Sequence, residues 1–246
     1  MNTCIILTED PIYTPDIVKQ LICYDELKIK LVIIPSGFIS LKRIYSTFFI
    51  YGIKKFTLTV FKVLINIFKG GVIQTLFKDA GIKVLKVKNI NSNKVHEKLK
   101  LLDLDIIISN NCPQKLNKKI LLIPKMGAIN VHLGLLPKYR GLFPLFHAFI
   151  RNEEEVGVSI HFMNTKFDDG DILCQKKIFI TEEDDLFSLY NKSFELVPEL
   201  ILKSIKIITG KLKLETIKNN ISNSSYFSFP NFNEIRIYKN KIMKLK

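Results

Sequence analysis

Two polar side chains, two residues apart in an otherwise apolar run, are the best candidates for chemistry in this sequence. Asn130 and His132 lie in Ala-Ile-Asn-Val-His, residues 128–132, which has the composition of a short buried strand. Side chains two apart on a strand leave the same face of a sheet. An amide and an imidazole side by side can donate two hydrogen bonds to one developing oxyanion. The pair alone fits equally well a strand end with an ordinary hydrogen-bonded histidine.

The chain that follows contains turn-forming residues and then an acidic turn. Gly134, Pro137 and Gly141 fall at the carboxyl end of the strand, where open α/β sheets build their sites. Residues 166–173 read Lys-Phe-Asp-Asp-Gly-Asp-Ile-Leu. A carboxylate of this turn that faced His132 would raise the pKa of the histidine and let it act as an acid near neutral pH. A solvated turn is the alternative interpretation.

The elements that must position these residues alternate between strands and helices. Short β-type runs cover residues 4–7, 27–34, 83–87, 105–109 and 128–131, and a helix begins at Thr14 with Pro15 at its first position. This alternation predicts an open α/β fold with a mainly parallel sheet covered on both faces. Longer antiparallel strands are predicted over residues 156–163 and 172–180. A last helix is predicted from 186 to 209, ending at Gly210.

Composition excludes several classes of protein. The 246 residues are 47% hydrophobic and carry 37 Lys and Arg against 23 Asp and Glu, a net charge of +14. GxGxxG, P-loop and GxSxG motifs are absent, which disfavours dinucleotide enzymes, P-loop NTPases and serine hydrolases. The four cysteines are far apart without a CxxC pair, so no metal site is expected. With neither a signal peptide nor an uncharged apolar span of about 18 residues, we expect a cytoplasmic protein.

One segment is unusually basic. No acidic residue occurs between Glu26 and Asp79, and nine lysines and arginines fall there. Residues 53–69 have a helical period, with lysines at every seventh position opposite an apolar face. That face is expected to cover the sheet. The basic face fits solvent, the anionic inner surface of a membrane, or a phosphate-rich partner such as RNA. The apolar face consists of Ile53, Phe56, Val60, Leu64 and Ile67, and the lysines are Lys55, Lys62 and Lys69.

Together these motifs resemble the signature of the formyltetrahydrofolate-dependent formyltransferases. The matching runs are Asn-Val-His at 130–132, Leu-Leu-Pro-Lys-Tyr-Arg-Gly at 135–141, Gly-Val-Ser-Ile-His at 157–161 and Phe-Asp-Asp-Gly-Asp-Ile-Leu at 167–173. The resemblance implies a Rossmann-like α/β fold with a mixed, mainly parallel sheet. It also implies the catalytic residues Asn130, His132 and Asp168, with 10-formyltetrahydrofolate as co-substrate and no metal.

The co-substrate is expected in the cleft at the carboxyl ends of the strands. Backbone groups of the loop after Ser109 would pair with the amide-like edge of the pterin. The loop after the catalytic strand would border the same cleft, with its cations attracting glutamate or phosphate groups. The expected binding residues are Asn110, Asn111, Cys112, Leu136, Pro137 and Arg140.

Three branches of the family differ in the amine that they formylate. The purine branch has a GxGSN-type loop after the first strand, but residues 8–13 here read Thr-Glu-Asp-Pro-Ile-Tyr. The methionyl-tRNA branch carries a C-terminal barrel of about 100 residues. Residues 211–246 are too few for it, so the expected division is a catalytic domain at 1–210 and a short C-terminal extension at 211–246.

The branch that formylates nucleotide-linked amino sugars for surface polysaccharides is therefore favoured. Its members resemble this chain in Leu-Thr-Glu-Asp-Pro at 7–11 and Ser-Tyr-Phe-Ser-Phe-Pro at 225–230. A methionyl-tRNA formyltransferase-like enzyme without its C-terminal domain stays open. So does a basic membrane-surface or nucleic-acid-binding protein on a disused formyltransferase fold. Nucleic acid is the less favoured partner, and a homodimer is allowed.

Overall fold

A mixed sheet, mainly parallel, forms the centre of the computed structural model, which describes residues 1–36, 41–68, 70–220, 222 and 224–244. Within these residues seven strands pair in the order β3-β2-β1-β4-β5-β7-β8. The first five in this order are parallel. β7 runs antiparallel to β5, and β8 runs antiparallel to β7. The strands are β1 (Asn2–Leu7), β2 (Lys28–Pro35), β3 (Val84–Val87), β4 (Ile106–Asn110), β5 (Ala128–His132), β7 (Glu155–Phe162) and β8 (Ile172–Phe179). The expected sheet is confirmed.

Helices cover both faces of this sheet, as predicted. They are α1 (Thr14–Ile22), α2 (Leu41–Phe68), α3 (Val72–Asp79), α4 (Asn93–Lys100), α5 (Lys118–Leu121), α6 (Pro144–Ile150), α7 (Leu186–Ile208) and α8 (Phe232–Lys244). Two further short strands, β6 (Arg140–Gly141) and β9 (Tyr226–Phe227), pair with each other outside the main sheet. Asp185 caps α7 because its carboxylate accepts a hydrogen bond from the Ser188 amide.

Successive side chains of β1 point to opposite faces of the sheet, and each face is covered by its own hydrophobic core cluster. Ile5 and Leu7 belong to one core cluster, and Cys4 and Ile6 belong to the cluster on the opposite face. All four side chains are at most 1% exposed. Side chains of parallel strands enclosed in this way are apolar on both faces, which is why these strands read as continuous hydrophobic runs.

The C-terminal residues pack against the loop that follows β5. The Ser225 carbonyl accepts a hydrogen bond from the Arg140 amide, and the Ser225 hydroxyl accepts one from the Tyr139 amide. Asn219 donates its side-chain amide to the carbonyls of Asp168 and Gly170. The division at residue 210 stays a prediction, and through Asn219 and Ser225 the segment after it contacts the loop that follows β5 and the acidic turn.

The helix predicted at 53–69 is part of a longer helix, and its predicted apolar face is exposed instead of packed on the sheet. α2 is broken at Gly52, where φ is 68° and ψ is 169°. The expectation that its apolar face covers the sheet is wrong, because Ile53 is 68% exposed and Ile67 63% exposed. The second half of the helix instead contacts the rest of the chain through Lys55, which pairs with Asp185, and through Asn66, which accepts a hydrogen bond from the Val72 amide. Lys69 lies outside the described residues.

Among the described residues, no single helix is long and apolar enough to cross a membrane. One bent pair, Lys55–Phe68 with Val72–Asp79, passes the same test on length and composition.

Gly170 allows the acidic turn to close against β7. A Cβ atom added at Gly170 would collide with the backbone carbonyl of Phe162. We expect Gly170→Ala to displace the turn and to lower the free energy of unfolding by about 2 kcal/mol or more, as measured by denaturant unfolding. Gly210→Ala is the control, because Gly210 has φ +71° in open space and should lose only about 1 kcal/mol. Equal losses in both variants would contradict the close approach.

Candidate functional site

A row of polar side chains crosses three neighbouring strands on one face of the sheet. Asn130 on β5 is the register partner of Ser109 on β4 and of His161 on β7. Register partners point to the same face, so the three side chains stand side by side. His132 lies two residues further along β5, on the same face and 5% exposed. The sequence predicted the pairing of Asn130 with His132.

Asp168 reaches this row from the turn between β7 and β8. Its backbone is left-handed, with φ 48°. Its Oδ2 accepts a hydrogen bond from the Gly141 amide at 2.8 Å and lies 3.7 Å from His132 Nδ1. Its Oδ1 lies 3.5 Å from His161 Nε2. The structure therefore brings Asn130, His132 and Asp168 together, with His161 between Asn130 and the carboxylate.

Opposing effects determine the charge of the Asp168 carboxylate. Burial alone would raise its pKa, because a buried anion loses its hydration. The imidazolium form of His132, the contact with His161 and the amide of Gly141 outweigh burial and hold the pKa of Asp168 well below its usual range. Asp168 is therefore an anion throughout the neutral pH range.

The balance at His132 differs from the sequence expectation. Burial lowers the pKa of His132, and the charges of His161 and Arg140 lower it further. The Asp168 carboxylate and the Tyr139 carbonyl act in the opposite direction without reversing the shift. The expectation that the carboxylate leaves His132 with a raised pKa is therefore wrong, because the ring is removed from water on all sides. The His132 ring is mainly neutral at pH 7.

Hydrogen-bond partners restrict where the His132 protons lie. Nε2 is 2.9 Å from the Tyr139 carbonyl oxygen, which can only accept, so Nε2 carries a proton. Nδ1 then faces Asp168, at a distance too long for a hydrogen bond. A proton arriving at Nδ1 would form an imidazolium ion paired with the carboxylate.

His161 is a functional candidate that the sequence analysis left out of the site. Its Nδ1 donates to the Phe162 carbonyl at 2.7 Å, which leaves Nε2 free to accept. Asn130 Nδ2 lies 3.3 Å from that Nε2, so the imidazole orients the amide. The motif at 157–161 contained the signal, but only the register of β7 against β5 places His161 opposite Asn130.

Arg140 has a different role from the one expected. Its guanidinium donates to the Phe167 carbonyl at 2.5 and 3.2 Å and lies 3.1 Å from Asp169 Oδ1. The side chain is 10% exposed and its carboxylate partner 7%. Arg140 therefore fastens the turn next to Asp168 and does not present its charge to the cleft. Lys138, on the same loop, is exposed.

The loop after β4 lies next to the site, as expected. Asn110, the last residue of β4, is the register partner of Val131, so its side chain points to the opposite face of the sheet from Asn130. It is 4% exposed, and its Nδ2 has no hydrogen-bond partner among the described residues. Asn111 donates to the Thr8 hydroxyl at 3.1 Å. The Cys112 thiol contacts the Gln114 carbonyl. The Ser109 hydroxyl, which the sequence analysis did not select, is fully buried and also without a partner in the part of the chain described.

Leu136 and Pro137 stand apart from this group. They line a cavity of about 350 Å³ together with Leu135, Val156 and Gln175. Asn130, His132 and Asp168 do not line it. The cavity borders the catalytic candidates through Tyr139, whose carbonyl oxygen is bonded to His132, and the folate contacts of Leu136 and Pro137 stay a prediction.

No group of three or more His, Cys, Asp and Glu side chains that could hold a metal ion occurs in the described ranges. The absence of a metal from the site stays a prediction.

Comparison with known sequences identifies relatives of the central and C-terminal parts of the chain. Residues 69–205, just over half of the chain, match the sequence model of the family described as formyl transferase. A methionyl-tRNA formyltransferase of Enterococcus faecalis is 41% identical over 143 residues, which cover 56% of this chain and 46% of the relative. The chain thus spans about half the length of the curated relatives it matches.

Solved structures share the fold at low sequence identity. A phosphoribosylglycinamide formyltransferase from Bacillus halodurans has a TM-score of 0.63 at 19% identity, covering 87% of this chain and 97% of the other. A sugar N-formyltransferase from Shewanella sp. has a TM-score of 0.63 at 17% identity, covering 98% and 87%. WlaRD, a sugar 3N-formyl transferase crystallised in the presence of dTDP and 5-N-formyl-THF, has a TM-score of 0.59 at 18% identity, covering 92% and 69%.

The His132 proton equilibrium can be tested through its carboxylate partner. Asp168→Asn removes the charge that raises the pKa of His132, so the His132 titration should move to lower pH, as followed by NMR of the imidazole ring. Asp171→Asn is the matched control, since Asp171 pairs with exposed Lys218 instead. An equal shift in both variants would show that the coupling is not specific to Asp168.

The fastening role of Arg140 predicts a stability loss. Arg140→Gln removes the bonds to the Phe167 carbonyl and leaves the buried Asp169 carboxylate without its arginine. We expect the free energy of unfolding to fall by about 3 kcal/mol, because breaking a buried ion pair leaves an uncompensated charge. Lys138→Gln, at an exposed site on the same loop, should change it by less than about 0.5 kcal/mol. Similar small losses in both would refute the role.

Proposed function

The chain belongs to the formyl transferase family, and from that premise we propose that it moves a formyl group from 10-formyltetrahydrofolate to the amine of a nucleotide-linked amino sugar. The observation that carries the proposal is the convergence of Asn130, His132 and Asp168 on one face of the sheet, at the carboxyl end of β5. An amide donor, an imidazole and a buried anion are the groups that acyl transfer to an amine requires.

The proposed reaction begins when the unprotonated amine attacks the formyl carbon. A carbon–nitrogen bond forms, and negative charge develops on the formyl oxygen. The Asn130 amide donates to that oxygen, with its orientation fixed by His161. Protonation of His132 at Nδ1, next to the Asp168 anion, would add a positive charge beside the oxyanion.

Collapse of the tetrahedral intermediate breaks the bond between the formyl carbon and N10. The attacking nitrogen loses one proton and N10 gains one, so the overall reaction neither consumes nor releases a proton. Asp168 is suited to accept the proton from the amine, directly or through water, because its low pKa keeps it ionised. The neutral His132 ring is suited to take up this proton at Nδ1, which faces Asp168, and the imidazolium ion formed is suited to return it to the leaving nitrogen.

An unpaired amide group at the end of β4 supports binding of the folate co-substrate near the site. Asn110 Nδ2 is buried and unpaired in the part of the chain described, at the carboxyl end of the strand next to β5. A buried donor without a partner is costly, so a polar group arriving with a ligand would stabilise it. The carbonyl oxygen and the ring nitrogens of a pterin can accept such a hydrogen bond, and Asn111 and Cys112 follow on the same loop.

The loop after β1 disfavours a phosphomonoester acceptor. Glu9 Oε1 accepts a hydrogen bond from the Ile73 amide at 2.9 Å, in the first turn of α3. A carboxylate therefore already occupies this helix N-terminus, where a phosphate would otherwise bind. This observation supports an acceptor other than the small phosphorylated amine of the purine branch. The likeness to two sugar N-formyltransferase structures over more than nine tenths of this chain is compatible with the same proposal.

Methionyl-tRNA formylation is the second candidate. It is favoured by the 41% identity to the Enterococcus faecalis enzyme over 143 residues. The net charge of +14 suits either a nucleotide-linked sugar or tRNA.

The test is an acceptor panel. The full chain is incubated with 10-formyltetrahydrofolate and, in separate reactions, dTDP- and UDP-linked amino sugars, methionyl-tRNA or glycinamide ribonucleotide. Tetrahydrofolate release and the formylated product are both measured. Formylation of an amino sugar in preference to the other two supports the proposal. Turnover with methionyl-tRNA alone would support the second candidate instead. Absence of tetrahydrofolate release with every acceptor would refute both.

The oxyanion role predicts large losses of turnover. Asn130→Ala and His132→Ala should each lower kcat by about 10²–10³-fold, as removal of one oxyanion donor does, with the protein still folded. His96→Ala is the control, because the His96 ring pairs with exposed Glu97 on α4. Near-normal kcat in both site variants would contradict the proposed mechanism.

A further inference from the structure

The second half of α2 exposes a continuous apolar surface that the proposed reaction does not use. Eight side chains after Gly52 are between 37% and 89% exposed. At 100° per residue they share one side of the helix, an arc of about 180° that also includes the positions of Lys54 and Thr57. We name this surface the apolar arc. Its members are Ile53, Leu58, Val60, Phe61, Leu64, Ile65, Ile67 and Phe68.

The helix is held from its other side, so the apolar arc is presented by a fixed element. Lys55 Nζ bonds Asp185 at 2.8 Å and lies over the Phe187 ring. Phe56 packs edge-on against Phe48 in the first half of the same helix, across the break at Gly52. At the far end, the side chain of Asn66 is buried and accepts a hydrogen bond from the Val72 amide at 2.6 Å. These contacts lie outside the apolar arc.

An exposed apolar surface of this extent is typical of an interaction site, because monomeric proteins seldom leave such a patch in water. Its charge surroundings indicate the partner. Residues 27–78 contain no Asp or Glu, and exposed Lys62 lies one turn from Leu58 at the margin of the arc. Lysine at the margin of an apolar face can bury its stem and extend its ammonium to a headgroup.

We propose that the apolar arc docks on a bilayer that contains anionic lipid, with α2 lying in the interface. Apolar side chains in the centre and lysines at the margin are the arrangement of an interfacial helix. A second copy of this chain in a two-fold contact would bring the same acid-free segment against itself, which like charges disfavour. A nucleic-acid surface would place cations, and not aliphatic side chains, in the centre of the contact.

The helix lies on the bilayer and does not cross it. α3, the second member of the bent apolar pair, buries Ile73 and Phe77 completely in the protein core. These side chains are therefore not available to lipid. The contact is confined to the apolar arc, which places the rest of the domain, including the site, outside the hydrocarbon.

The experiment is co-sedimentation of the full chain with vesicles of phosphatidylcholine alone or with about one third phosphatidylglycerol. We expect binding to the anionic vesicles to be at least ten-fold tighter, since each cation near the surface contributes about five-fold. Raising the salt from about 0.05 M to 0.5 M should weaken this binding steeply, because it shortens the Debye length.

Two variants separate the apolar and the basic contributions. The triple variant Phe61→Ser, Leu64→Ser and Ile65→Ser should abolish vesicle binding, and Lys62→Glu should weaken it by ten-fold or more. The double variant Leu101→Ser and Leu122→Ser changes exposed leucines elsewhere and should bind as the parent does. Circular dichroism and thermal unfolding of each variant verify that the fold is kept.

Several results would overturn the proposal. Absence of binding to anionic vesicles at low salt would do so, as would equal binding to neutral vesicles. A dimer in light scattering that the triple variant converts to monomer would assign the apolar arc to a second copy instead. Formyl transfer is measured in a separate assay without vesicles, so the outcome of this test does not depend on the proposed function.

Discussion

Burial of the Asp168 carboxylate is the constraint on which the rest of the site depends. An anion removed from water is stable only where donors and positive charges stand close to it. Asp168 has the Gly141 amide, His132 and His161 within 3.7 Å. Those groups come from three separate segments, so the buried anion is stable only when β5, β7 and the loop after β5 are all in position. Folding and the assembly of the site are thereby one event.

The residues that hold the turn carrying Asp168 also come from distant parts of the chain. Arg140 binds the Phe167 carbonyl on one side of the turn, and Asn219 binds the Asp168 and Gly170 carbonyls on the other. The C-terminal residues also pair with the loop through β6 and β9. A substitution in the tail can therefore disturb catalysis without any contact with substrate.

The two imidazoles of the site are not equivalent. His132 is tied through Nε2 to a carbonyl and can gain a proton only at Nδ1, facing the carboxylate. His161 is tied through Nδ1 to a carbonyl, and its Nε2 accepts from the Asn130 amide while lying 3.5 Å from Asp168 Oδ1. The first is suited to proton transfer and the second to orientation of the amide. This division of roles follows from which ring nitrogen meets a carbonyl, because a carbonyl can only accept.

Much of this protein follows from its sequence, because short apolar runs, a proline at a helix start and a glycine after a helix are local signals. They were sufficient for the strands of the parallel sheet, for α7 and for the pairing of Asn130 with His132 on one face. The sequence could not give the register of β7 against β5, which makes His161 part of the site, or the enclosure that lowers the pKa of His132. It also assigned Arg140 to the cleft and the apolar side of α2 to the sheet. In each case the deciding quantity is the exposure or partner of a side chain, which is set by contacts between residues far apart in the chain and therefore exists only in the folded protein.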